Sequence, residues 1–147
     1  MAALVNSVVK VSGVSRVFKG KTGEVRALDN VSFTLNEGRT LALVGESGSG
    51  KTTAARVLLG LDTPNSGSVE VLGNDLGSLK HEELRLLRRQ IQVVQQDPFS
   101  QLNRSHSVER IISGPLLAFK VGTEDSRQKL VIELQDAVGR ARDHLRP

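Results

Sequence analysis

Residues Gly45–Thr53 read GESGSGKTT, between the apolar run RTLALV (39–44) and the helix-forming run AARVLLG (54–60). The spacing is Gly-x-x-x-x-Gly-Lys-Thr, that of a phosphate-binding loop. Each residue type has a chemical reason to be there. Gly45, Gly48 and Gly50 let the backbone turn sharply and aim successive N–H groups at one point, making an anion-binding nest. A helix that starts where the loop ends adds its positive N-terminal end. Lys51 supplies a point charge for the β- and γ-phosphates, and Thr52 a hydroxyl for a Mg²⁺ that bridges them. Thr53 and the backbone from Ser47 to Gly50 complete the cradle; the hydroxyls of Ser47 and Ser49 read equally well as loop filler. A chance glycine-rich turn is the plainer alternative, but it leaves the apolar run before the loop and the helix-like run after it unexplained.

The flanking sequence predicts strands first, an α/β middle and helices last. VVKVSGVSRVF (8–18) is Val-rich and alternates, as a strand does. KGKTGEV (19–25) reads as a turn-rich loop, RALDNVSFTL (26–35) as a second strand and NEG (36–38) as a tight turn, with Asp29 and Asn30 as turn residues. RTLALVG (39–45) is a continuous apolar run, the pattern of a buried parallel strand. A helix fits 50–60 and ends at Gly60; DTPNSG (62–67) is a loop and SVEVLG (68–73) a strand. Ser78 is placed to cap a helix running to about Arg89, and IQVVQQ (91–96) is a second buried strand, closed by Asp97-Pro98. Two helices follow. The later one has Thr123 as N-cap, Glu124 and Asp125 in its first turn, Leu130, Leu134, Val138 and Ala141 along one face, and Arg140, Arg142 and Arg146 at its end.

Composition narrows the class. The 147 residues fit one domain, with 38% apolar and 24% charged residues and no cysteine. Disulfides and thiol-bound metals are therefore excluded, which suits a reducing compartment. No apolar run approaches a membrane span, and MAALVNSVVK at the start lacks the basic-then-apolar pattern of a secretion signal. The net charge of +4 favours anions in general. No dense Lys/Arg tract with interleaved aromatics accompanies it, which argues against nucleic acid. His81, His106 and His144 fall in helix or loop contexts and take no role.

A phosphate loop alone also fits a GTPase or a small-molecule kinase, but the chain has no Asn-Lys-x-Asp motif and no recognisable Arg-rich lid. Three longer stretches narrow the choice: VSRVFKG (14–20), VRALDNVSFTLNEGRTLALVGESGSGKTTAARVLLGLDTPNSGSVEVLGNDL (25–76) and LRRQIQVVQQDPFSQLN (87–103). Together they resemble the nucleotide-binding subunit of an ATP-binding-cassette (ABC) transporter. QQDPFSQLN (95–103) is most similar to the oligopeptide/dipeptide importer branch. The likeness runs from about residue 8 to 145.

The resemblance implies the N-terminal portion of an α/β P-loop ATPase. Residues 1–99 would be a partial ATPase core with an antiparallel β subdomain, and 100–147 a partial helical subdomain. It implies ATP and Mg²⁺ as cofactors. Phe18 falls where the family stacks an aromatic ring on adenine; packing as a core Phe is the alternative. Gln96 falls at the Q-loop, where the amide touches Mg²⁺ or its water and couples the site to the membrane partner. Gln95 is the other possible register, but Gln96 keeps Gln-Asp-Pro unbroken. Thr52 and Gln96 are thus the metal-side residues, and Lys51 and Gln96 the only ones with a catalytic part. Gln95 stands where the family usually has an aromatic, and Arg104 where it has a proline, which touches partner coupling rather than nucleotide binding.

Implied partners are transmembrane permease subunits, a second ATPase subunit and, indirectly, a solute-binding protein, with the chain peripheral at the cytoplasmic face of the membrane. The family's Leu-Ser-Gly-Gly-Gln signature, acidic pair and switch histidine do not occur within the 147 residues. The expectation is an ATP-binding subunit that couples ATP binding and hydrolysis to import of peptides or related solutes, with these 147 residues alone inactive; the alternative is a truncated nucleotide-binding module without turnover. Its phosphate-loop strand, lacking a neighbour, is expected to leave an apolar edge that self-associates.

Overall fold

The computed structural model describes residues 6–20, 23–97 and 102–137. Two compact units divide the chain, 1–92 and 93–147.

In the first unit, alternating Val residues build a long antiparallel hairpin of β1 (Ser7–Gly20) and β2 (Gly23–Asn36). β3 (Ser66–Val71) pairs with the other edge of β1, and the short β4 (Asn74–Asp75) with β3, giving the order β2-β1-β3-β4. The hairpin pairs further than the composition of 19–25 indicates. Lys19 faces Glu24 and Gly20 faces Gly23, so the glycines end strands instead of filling a loop. Asp29 and Asn30 lie inside β2, where the register shifts between Val14 and Arg16. Asn30 takes a φ of +50° there, and its N–H donates to Ser15 Oγ at 2.9 Å. The turn that was expected is a bulge within a strand. β3 also stops short of residue 73: Leu72 and Gly73, at φ +50° and +75°, make the two-residue turn into β4.

One face of this sheet carries Val11, Val14, Leu28, Val69 and Val71, all buried, against Ala54 and Val57 of α1 (Lys51–Leu58). Those two helical residues are three apart and share a face, so one short helix covers the sheet. α1 ends as a Schellman turn: Gly60 N–H donates to Val57 O at 3.0 Å and Leu61 N–H to Arg56 O at 2.9 Å. Gly60 takes the left-handed φ of +63° that this turn requires. Arg88 closes the same helix end, its guanidinium donating to Leu59 O at 3.1 Å and Gly60 O at 2.8 Å.

α2 (His81–Leu87) starts two residues later than a Ser78 cap would place it. Ser78 Oγ instead donates to Asp75 O at 2.8 Å in the preceding turn, and Lys80 N–H donates to Glu83 Oε2 at 2.7 Å. The carboxylate three residues into the helix, rather than the upstream hydroxyl, decides the start.

The two apolar runs read as buried parallel strands are not so built. Neither 39–45 nor 91–96 is hydrogen-bonded into a sheet among the described residues. Leu41 and Leu43 are 43% exposed, Val44 92% and Val94 86%. Continuous apolar runs belong to parallel strands covered on both faces and paired along their edges, and no described strand pairs with either one.

In the second unit, α3 (Val108–Ala118) is capped by Ser107, whose Oγ accepts from Arg110 N–H at 3.3 Å. α4 (Glu124–Ala137) begins at Thr123, whose Oγ1 accepts from Ser126 N–H at 3.4 Å. The cap is where the sequence indicates, but the inward face is not. Val131 and Gln135 are buried, whereas Leu134 is 45% exposed. Leu130, Val131, Ile132 and Leu134 crowd into little more than one turn and point to several sides, so packing selects the face. Val138, Ala141, Arg140, Arg142 and Arg146 lie outside the described residues.

Candidate functional site

The loop Gly45–Gly50 folds around its own lysine. Lys51 Nζ donates to Gly45 O at 2.8 Å and Glu46 O at 2.6 Å, with Ser49 Oγ 3.3 Å away. Three acceptors from the loop therefore hold the ammonium group over the cradle. Ser49 N–H donates to Glu46 O at 3.2 Å, closing the turn. Ser49 thus has a local structural part, where sequence left it as possible filler.

The glycines are needed where they stand. Gly50 takes φ +91°, and a Cβ there would run into the carbonyl oxygen of Ala27. That carbonyl is delivered by an irregularity in the hairpin: Arg16 faces Leu28 and Val17 faces Arg26, so Ala27 is skipped in the register. The β layer thus grips the loop at the point where α1 begins. Gly48, at φ +82°, has nothing within 4 Å of its would-be Cβ and faces open space.

α1 starts at Lys51 with no side-chain cap and no acidic residue in its first turn. Its first internal bond runs from Ala54 N–H to Gly50 O at 2.8 Å. The N–H groups of Lys51, Thr52 and Thr53 lie ahead of that bond and are left for an external acceptor. Uncapped N–H groups, a positive helix end and a tethered ammonium suit a polyphosphate. Thr52 is exposed beside Lys51, and Thr53 is half-buried. Among the described residues no group of three or more His, Cys, Asp or Glu is placed to hold a metal. A Mg²⁺ here would take its ligands from Thr52 and the phosphates themselves, where it would neutralise phosphate charge.

Phe18 lies on β1 opposite Val25, two rungs beyond the stretch of β2 that touches Gly50. It is 38% exposed, so it is not a core residue. Arg16 stacks on it, with the guanidinium carbon 4.7 Å from the ring centroid. Sequence reading passed over Arg16, although its spacing of two from Phe18 on an alternating strand places both on one face. Gln96 lies in the second unit, exposed, beside Asp97; Pro98 is outside the described residues.

Beyond α1, Arg56 and Asp62 form a two-point pair, with Nε–Oδ2 at 2.6 Å and an Nη2 bond to Oδ1 at 3.2 Å. The hydrogen bond from Arg56 holds the Asp62 carboxyl below its usual range against partial desolvation, with the charges of Arg56 and Arg16 adding to the effect. No described helix is long and apolar enough to cross a membrane.

This loop, seated between a strand layer and the start of a helix, defines a P-loop nucleotide-binding protein. The sequence pattern of the ABC transporter family matches residues 28–146, and the chain belongs to that family. The oligopeptide transport ATP-binding protein OppD of Mycobacterium tuberculosis is 48% identical over 123 residues, covering 84% of this chain and 20% of the relative. The oligopeptide transport ATP-binding protein AppF of Bacillus subtilis is 42% identical over 126 residues, 85% of this chain and 38% of the relative. Among solved structures, the dimeric, ADP- and Pi-bound ATP-binding cassette MJ0796 superposes with a TM-score of 0.75 at 24% identity, over 93% of this chain and 60% of that one. CbiO1 from Clostridium perfringens gives 0.71 at 26% identity, over 95% and 53%. The chain spans less than half the length of these curated relatives.

Proposed function

We propose that the chain is the ATP-binding portion of an ATPase subunit that powers import of peptides or related solutes. The observation that carries this reading is the tethering of Lys51 by the Gly45 and Glu46 carbonyls at 2.8 and 2.6 Å, beside the uncapped start of α1. In this reading, Gly45–Gly50 and the first N–H groups of α1 wrap the phosphates. Lys51 supplies a fixed positive charge and Thr52 serves the Mg²⁺, while Gln96 is the Q-loop residue that the family resemblance implies. The exposed ring of Phe18 stacks on the base. Residues 1–99 form the core of the cassette and 100–147 the start of its helical subdomain.

Its partners are transmembrane permease subunits and a second ATPase subunit, with a solute-binding protein acting indirectly, so the chain works at the cytoplasmic face of the membrane. Peptide cargo is supported by the relatives, which are oligopeptide and di/tripeptide transport ATP-binding proteins.

Calorimetric titration of the chain with Mg-ATP tests the reading. Saturable one-to-one binding that disappears in Lys51→Ala is the expected result. Binding unaffected by Lys51→Ala would remove the phosphate loop from the mechanism. A phosphate-release assay on the same sample separates binding alone from turnover.

A further inference from the structure

Phe18 is supported from one side by a cation. Arg16 and Phe18 sit two apart on β1 and share a face, and the guanidinium carbon lies 4.7 Å from the ring centroid. A flat guanidinium over an aromatic face is a favourable stack. Arg16 Nε is buried without a hydrogen-bond partner. A guanidinium N–H shut away from water and left unpaired carries a cost, and the contact with the Phe18 ring is an interaction that can offset it. The Arg16 charge also adds, as the smallest of the contributions, to holding down the Asp62 carboxyl that Arg56 of α1 clasps. With the guanidinium over the ring, Phe18 is still 38% exposed.

We propose that Arg16 is a positioning residue for base recognition. Its guanidinium backs one face of Phe18, fixes the ring and leaves the opposite face as the platform for a purine, so that base, ring and guanidinium form a three-layer stack. The inference rests on the reading of Phe18 as the base-stacking residue. Its chemistry is that of the aromatic quadrupole. A cation on one face draws on the π-density, and the other face becomes less repulsive to an electron-rich base. The ring is also held before ligand arrives, so less ordering remains to be done on binding.

The test compares ATP with inorganic tripolyphosphate, which carries the phosphates without the base. Both are titrated calorimetrically, with Mg²⁺, into the full chain and its Arg16→Met, Phe18→Ala and double variants. Arg16→Met is expected to weaken ATP about three- to tenfold, the range of a partly exposed cation–π contact, and to leave tripolyphosphate unchanged. The double variant is expected to bind ATP no more weakly than Phe18→Ala. Equal weakening of both ligands by Arg16→Met would make Arg16 a long-range charge and overturn the proposal, as would unchanged ATP affinity. If Phe18→Ala leaves the preference for ATP over tripolyphosphate intact, the base-stacking reading itself fails, a distinct result. Circular-dichroism melts check folding. Should Arg16→Met unfold at the assay temperature, Arg16→Gln, which keeps a planar group without the charge, is read by the same two ratios.

Discussion

At the scale of single residues, the site depends on backbone room as much as on charge. Gly50 combines a φ of +91° with a would-be Cβ directed at the Ala27 carbonyl. Gly50→Ala is therefore expected to destabilise the first unit by about 1–3 kcal/mol, the range for strained backbone held in place by its surroundings. A urea melt followed by circular dichroism reads this, and an unchanged midpoint would contradict it. Lys51→Ala differs in kind. It removes the ammonium held by Gly45 O and Glu46 O, and nucleotide affinity is expected to fall below calorimetric detection while the far-ultraviolet spectrum is kept. The residue types of this loop were all legible in the sequence, because phosphate chemistry demands them at that spacing. The Ala27 contact was not, because a register shift in a distant hairpin creates it.

At the scale of elements, α1 is the piece most tightly tied down. Its far end is closed by Arg88, whose guanidinium donates to Leu59 O and Gly60 O. Arg88→Met should leave those carbonyls without their charged donor and cost about 1.5–3 kcal/mol, seen as a lower urea midpoint with an unchanged slope. The Arg56–Asp62 pair just beyond the helix sets a pH dependence. Because the Asp62 carboxyl is held below its ordinary value of 3.8, its contribution is present above that value. It is lost as pH falls through the lower, folded-state value. As pH falls below about 4, stability of the parent chain should therefore fall more steeply than that of Asp62→Asn; parallel acid limbs would rule the pair out as a contributor. Element types were well indicated by periodicity and capping in β1, β2, α1 and α4. The start of α2 was misjudged because two capping signals competed. The face of α4 was misjudged because its apolar residues do not define a single stripe.

At the scale of the whole molecule, the apolar runs at 39–45 and 91–96 dominate the expected solution behaviour. Val44 and Val94 are 92% and 86% exposed, with Leu41 and Leu43 at 43%. Exposed apolar runs of this kind drive association. The chain is expected to elute above its monomer mass of 15.9 kDa in size exclusion with light scattering. A Val44→Lys, Val94→Lys double variant should shift it towards monomer. A monodisperse parent chain would sink this expectation.

What the sequence determined by itself is local: a loop whose glycines, lysine and threonine answer to phosphate geometry, a hairpin written in alternating valines, and the Thr123 cap of α4. These depend on neighbours only a few residues away. The tertiary structure decided which apolar runs are covered, which face of α4 turns inward and where Ala27 meets Gly50. Each of those depends on a partner brought from elsewhere in the chain, and periodicity names a surface without naming what will cover it.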